Sequence, residues 1–402
     1  MKFLLLNQTF YPDVMATGQY LQELALELVR RGHEVTVVTS RRAYDHPEKR
    51  FPKSETWRGI RIHRVGATGF GKTAKWRRAS DFATFMFCCA ARLAFMPRPD
   101  AIIALTSPPL ISFLGACLAK FHRCRFFYWV MDFNPDQAIA AGWLRPNSLA
   151  GKLLERMSRF SLRAAAKVIV LDRFMRDRIT AKGVAPGNIS VSPLWAREGE
   201  VRFDETERNR FREEQGIAGK FVVMHAGNHS PCHPLETLLQ AARQLRHDPN
   251  IIFCFIGGGS EFRKLQQLTV NGQETANIRC LPYRPLSELS AVLSSADLHV
   301  VVMGDPFVGI VHPCKIYNVL SVAAPMLYIG PNPSHVTDLI DSMKNGHFCA
   351  AARHGDVNRV VSEIERARKC ADNNNRQVPQ SLMSRHSIGT ALPNLAAVLE
   401  SI

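Results

Sequence analysis

Six segments of this chain place chemically useful residues next to runs that read as β-strands or helix starts. Asp132 follows the apolar run Arg125 to Met131, and Thr17-Gly18 opens an amphipathic stretch after Phe3 to Leu6. Gly227-Asn228-His229 follows Phe221 to His225, and Gly257-Gly258-Gly259 follows Ile251 to Ile256. Tyr283 stands just past Ile278 to Leu281, and Lys315 just past Pro313 at an expected helix start. Ligands of open α/β sheets bind beyond the carboxyl ends of strands. A helix start offers unpaired N–H groups to a phosphate or a sugar hydroxyl, glycine admits close backbone approach, and a Lys adds a charge-assisted hydrogen bond. The Asp132 carboxylate can bind a sugar hydroxyl or take a proton, or it can simply cap the next helix. Gly18 equally suits a plain helix start, the three glycines a plain turn, and Tyr283 a plain strand end.

His225, His229 and His233 recur at a spacing that would align on a helix. His225 ends a predicted strand, however, and Pro231 and Pro234 break any helix beyond it, so no metal site is expected from them. The chain also lacks a D-x-D motif.

The elements that must carry these residues are legible in the hydrophobic rhythm. Short Val, Ile and Leu runs alternate with amphipathic segments, the pattern of βαβ units around parallel sheets. In the first half the runs are Phe3 to Leu6, Val35 to Val38, Ile60 to Arg64, Ala101 to Leu105, Arg125 to Met131, Val168 to Leu171 and Ile189 to Val191. In the second they are Phe221 to His225, Ile251 to Ile256, Ile278 to Leu281, Leu298 to Val302 and Met326 to Ile329. Two doubly wound α/β domains are predicted, 1–192 and 193–380, with 381–402 a helix packing back toward the first. A length of 402 residues suits that number. Two long uncharged stretches, Ala101 to Ala119 and Ile316 to Thr337, contain prolines and read as buried strands adjoining helices rather than membrane spans.

The formal net charge is +16, and its distribution is lopsided. Residues 1–192 hold 30 Lys and Arg against 14 Asp and Glu, whereas 193–402 hold 21 of each. Such asymmetry points to a polyanion or an anionic membrane surface as partner of the first half. The segment Lys72 to Arg98 concentrates it: Lys72, Lys75, Arg77, Arg78, Arg92 and Arg98 are interleaved with Trp76, Phe82, Phe85, Met86, Phe87, Leu93 and Phe95. That pattern fits an interfacial membrane helix or a core-facing helix with a solvated basic side. No nucleic-acid motif accompanies the charge, so a nucleic-acid partner is not expected. The ten cysteines show no C-x-x-C and no regular framework, and the N-terminal apolar run is too short for a signal-peptide core, both of which suggest the cytosol.

Several segments, taken in order, resemble retaining GT-B glycosyltransferases of the bacterial family-4, WbuB-like type that build surface polysaccharide. They are Tyr11-Pro12, Ala16-Thr17-Gly18, Leu24 to Ser40 with its Arg31-Gly32-His33-Glu34, Asp132-Phe133-Asn134-Pro135-Asp136, Val191 to Trp195, Phe221 to Asn228, Leu235 to Ala242, Phe255 to Glu261, and Pro313 to Asn318. The resemblance implies two Rossmann-like domains facing across a cleft and no metal or other cofactor. Its substrates would be a nucleotide-sugar donor, by expectation UDP-linked, and a lipid-linked or saccharide acceptor. It places the donor phosphates at Gly227, Asn228 and His229, near Gly258 and Lys315, and the base at Leu281 and Tyr283. The family's ribose-binding Glu aligns with Asn318, whose amide can hydrogen-bond a hydroxyl pair without charge. Gly18 would meet donor or acceptor in the first domain, where Asp132 is the catalytic candidate. The expected activity is transfer of a hexosyl or N-acetylhexosaminyl group at the cytoplasmic face of the membrane. A nucleotide-sugar epimerase on the same architecture and a non-enzymatic polyanion-binding protein are the competing readings.

Overall fold

A computed structural model of the chain describes residues 1–13, 15–44, 46, 48–70, 75–196, 201–270, 276–343, 348–370 and 378–401. Two compact units emerge, one of residues 1–193 with 392–402 and one of residues 194–391.

The first unit contains strands β1 (Lys2–Leu6), β2 (Glu34–Ser40), β3 (Ser54–Trp57), β4 (Ile60–Val65), β5 (Ala101–Ala104), β6 (Arg125–Trp129), β7 (Lys167–Val170) and β8 (Ile189–Val191). They form one sheet in the order β3-β4-β2-β1-β5-β6-β7-β8, parallel except where β3 pairs antiparallel with β4. The central strands are buried on both sides, as a sheet covered by helices on two faces requires. Helices α1 (Ala16–Arg30), α2 (Lys75–Ala94), α3 (Ile111–His122), α4 (Asp136–Ala140), α5 (Leu149–Ala164) and α6 (Arg173–Ala181) connect them. From β1 to β2 the chain steps one way along the sheet, and from β4 onward it steps the other way. Right-handed crossovers therefore put α1 on one face and α2, α3 and α5 together on the other, with α3 packed against both α2 and α5.

The second unit is an all-parallel sheet of β9 (Phe221–Asn228), β10 (Ile251–Gly258), β11 (Ile278–Leu281), β12 (Leu298–Val302), β13 (Met326–Ile329) and β14 (Cys349–Ala352), ordered β11-β10-β9-β12-β13-β14. Its helices are α7 (Glu205–Glu214), α8 (Glu236–Gln244), α9 (Ser260–Val270), α10 (Leu289–Ser294), α11 (Lys315–Ser321), α12 (His335–Ser342), α13 (Val357–Cys370) and α14 (Gln380–Arg385). The last helix, α15 (Ile388–Glu400), returns its later residues to the first unit, where Glu400 meets Arg31 at 2.8 Å and His33 at 2.6 Å. One core cluster of the second unit lies under α8 and α13 and includes Phe253, Phe255, Leu298, Val302 and Ile364.

Two strands escape the hydrophobic pattern. β3 is an edge strand of polar residues, and β14 is an alanine-rich run that lacks β-branched side chains. The two uncharged stretches resolve into β5 followed by α3 and into β13 between α11 and α12. Among the described residues no helix is long and apolar enough to cross a membrane.

Candidate functional site

In the second sheet the connections from β9 run to β10 and β11 on one side, and those from β12 run to β13 and β14 on the other. The switch point lies between β9 and β12, where an open α/β sheet gathers its ligand residues. β9 and β10 run past the predicted ends at His225 and Ile256, so Asn228 and Gly258 lie in strand rather than in loop. The reason is glycine pairing: Gly257 lies opposite Gly227 in register, and a Cβ on Gly257 would sit 2.0 Å from the Gly227 carbonyl oxygen. Gly227 and Gly257 have φ of +117° and +138°, which L side chains rarely adopt.

The expected donor residues of this unit come together in one row. At its β11 end the Tyr283 ring lies against Gly258, so close that a Cβ there would be 2.9 Å from Cε2. Leu281 closes β11 opposite Ile256. At the other end the Lys315 ammonium stands beside the Gly227 backbone, 3.7 Å from where a Cβ would be. Between them the His229 N–H donates to the Gly258 carbonyl at 2.8 Å, and the Glu261 N–H donates to the His229 carbonyl at 3.0 Å, which pins the turn into α9. Asn318 lies one turn beyond Lys315 on α11 and is half-buried.

The histidines have a role that spacing did not disclose. The His225 and His229 rings approach to 4.9 Å between centroids, and those of His225 and His233 to 6.4 Å, although no helix aligns them. His225 Nδ1 donates to the Val300 carbonyl on β12 at 2.8 Å, which leaves Nε2 to accept from Lys315 Nζ at 3.1 Å. Burial, followed by the neighbouring Lys315 charge, holds His225 and His233 well below the ordinary imidazole range. Burial lowers His229 to about 4 and Lys315 to about 7. Both ring nitrogens of His229 are buried without a hydrogen-bond partner among the described residues. The site is thus a pocket of basic nitrogens held largely neutral, suited to an anion whose binding is accompanied by proton uptake. A histidine ending the apolar run Phe221 to Met224 was the available signal, because a buried imidazole needs a partner.

In the first unit the switch point lies between β1 and β5, where the Gln8 N–H donates to the Ser107 carbonyl at 2.6 Å. Gly18 is buried in the first turn of α1, and a Cβ there would meet the Thr9 hydroxyl at 3.0 Å and the Thr9 backbone at 3.1 Å. Its lack of a side chain therefore lets α1 pack onto the loop after β1, whatever else it binds. Asp132 is half-buried beyond the end of β6. The capping alternative fails, because α4 begins at Asp136 with Pro135 at its N-cap, three residues past Asp132. Asp136 is engaged with Lys182 at 2.7 Å and Arg178 at 3.5 Å.

In the basic segment, Lys72 and the side chains of Lys75 and Arg78 lie outside the described residues. α2 turns Phe85, Cys89 and Leu93 into the core and leaves Trp76 and Phe87 exposed at 64% and 76%, with Phe95 just past its end at 84%. The helix therefore has a core-facing side, as one reading expected, and a second side whose aromatic residues are left in solvent.

Two Rossmann-like units in one chain define the GT-B architecture. HepE of Anabaena, whose crystal structure holds UDP and glucose, superposes with a TM-score of 0.72 at 15% identity over 100% of both chains. Residues 16–195 match the glycosyl transferase 4-like domain, and residues 207–312 match glycosyl transferases group 1. A protein of Escherichia coli K12 that carries the name colanic acid biosynthesis glycosyl transferase WcaI is 25% identical over 390 residues, covering 91% of this chain and 92% of its own. Glycosyltransferase WbjE, so named, of Pseudomonas aeruginosa is 26% identical over 273 residues, 66% of each chain. The chain is a GT-B glycosyltransferase with relatives in polysaccharide biosynthesis.

Proposed function

We propose that this glycosyltransferase moves a sugar from a UDP-linked donor, with retention of configuration and without a metal ion, to a lipid-linked acceptor in cell-surface polysaccharide synthesis of the WbuB-like kind. The observation that carries the donor assignment is the row from Tyr283 through Gly258 and Gly227 to Lys315 at the second switch point. Uridine would stack at Tyr283 and Leu281, and the ribose hydroxyls would meet Asn318. The diphosphate would lie over Gly227, Asn228 and His229, with Lys315 supplying the charge that offsets the one growing on the leaving group. The likeness to HepE, which holds UDP and glucose, supports this reading.

Asp132 is proposed to hold a sugar hydroxyl or take the acceptor's proton. The exposed aromatic residues of α2, set among its basic ones, support a peripheral position on an anionic, cytoplasmic membrane face. A thermal-shift panel of UDP, ADP and GDP with their sugars tests the donor, since a ligand of the folded state raises Tm. UDP and one UDP-sugar should stabilise the protein; stabilisation by a purine nucleotide alone would overturn the assignment. Transfer that is abolished by EDTA and restored by Mg²⁺ or Mn²⁺ would overturn metal independence.

A further inference from the structure

One groove of the first unit lies apart from the loops that follow β1 and β5 at its switch point. It has a volume of about 860 Å³ and runs between α3 and α5. Its walls carry Lys120, Arg123, Lys152, Arg156, Arg159 and Arg163. The one acid among its lining residues is Glu155, which is already engaged by Lys182 and Arg159 at 2.7 Å each. Among the described residues Lys120, Lys152, Arg156 and Arg163 have no acidic partner, and all four are exposed. The floor is apolar, formed by Ala116, Ala119, Phe160 and Ala164.

The rim decides what kind of polyanion fits. On α5, Leu149, Lys152, Leu153, Arg156 and Arg163 follow the three- and four-residue spacing of one helix face, with Leu149 88% and Leu153 59% exposed. A nucleic acid would satisfy the cations and leave these leucine side chains in water, whereas a bilayer has both a phosphate layer and an acyl boundary. We infer that the α3–α5 groove is a docking site for the phosphate headgroups of an anionic bilayer, with Leu149 and Leu153 entering the acyl boundary. The groove contains no residue of α2, and the inference does not depend on the donor assignment.

Flotation with vesicles of phosphatidylcholine, and with vesicles that also contain phosphatidylglycerol, tests it on the full chain. The wild type should float only with the anionic vesicles, and less as salt rises. Lys120→Gln, Arg156→Gln and Arg163→Gln combined should raise the lipid concentration for half-binding by about a hundredfold, at roughly one Lys or Arg contribution per site. A charge-matched control in the second unit, Arg246→Gln, Arg263→Gln and Arg279→Gln, should leave it nearly unchanged. Leu149→Ser with Leu153→Ser should weaken binding while keeping the salt slope. Equal losses in the groove and control triples would reduce the effect to net charge and overturn the inference, as would full binding by the groove triple. If only Trp76→Ala with Arg77→Ala releases the protein, α2 is the membrane contact and the groove is not. UDP binding, measured on the same variants, should not change, so a failure here is separable from a failure of the donor assignment.

Discussion

At the residue scale, the proposed donor assignment makes the Lys315–His225 pair the group that would meet a diphosphate. Lys315 is lowered by burial to about 7, so at neutral pH only part of the population carries the charge. A bound diphosphate favours the protonated amine, and affinity for UDP should fall as pH rises above 7, by up to about tenfold per unit. Titration calorimetry from pH 6 to 9 in buffers of different ionisation enthalpy should reveal net proton uptake; affinity that is flat with pH would contradict it. Lys315→Ala should cost about 1.5–3 kcal/mol of UDP binding, the range for a hydrogen bond to a charged group. His229 makes a separate claim on stability. Its folded pKa of about 4 lies below its unfolded value, so between these two pH values the unfolded chain binds more protons. Stability should therefore rise with pH from about 4 to 6.5 and be fully present above that, a contribution on the order of 3 kcal/mol. His229→Asn should flatten this part of a Tm against pH curve.

At the element scale, the row proposed to hold the donor depends on two strands approaching more closely than side chains permit. Gly257→Ala would drive a methyl into the Gly227 carbonyl at a positive φ, and a loss of about 3 kcal/mol or more by urea unfolding is expected, with UDP binding lost in parallel. Asp297 fixes the same sheet from its other end. It accepts from Arg208 at 2.6 Å, from Arg212 at 2.5 Å and from the Val222 N–H at 2.7 Å, joining α7 to the start of β9. Asp297→Ala leaves two poorly exposed guanidinium groups unpaired and should cost about 3–5 kcal/mol. A loss under about 1 kcal/mol in denaturant titration would show that water takes over the role.

At the scale of the whole molecule, the first unit is closed by residues from the far end of the chain. Leu395, Ala396 and Leu399 of α15 are fully buried, while Glu400 pairs with Arg31 and His33. Leu399→Ala should destabilise the first unit by about 2–5 kcal/mol, read from a transition that UDP does not shift. The excess charge of residues 1–192 belongs to that same unit, and a salt-dependent affinity for anionic lipid is expected from it and not from the neutral second unit.

The sequence by itself determined the architecture. Apolar runs at βαβ spacing mark the parallel strands because a strand buried on both faces must be apolar along its length, and the order of motifs marks the family resemblance. It did not reveal β3 or β14, whose polar and alanine-rich residues carry no such pattern and which form because a neighbouring strand offers its edge. Gly227, Gly258, Tyr283 and Lys315 could be picked out from strand ends, and the family resemblance grouped them, but the contacts that join them could not be read, because these depend on which strands lie side by side. Tertiary structure alone decided that His225 is Lys315's partner, since that pairing rests on Val300 of β12 taking the Nδ1 proton across the sheet. The same holds for the groove between α3 and α5: its cations are scattered through 44 residues of sequence, from 120 to 163, and become one surface only when the crossovers lay the two helices together.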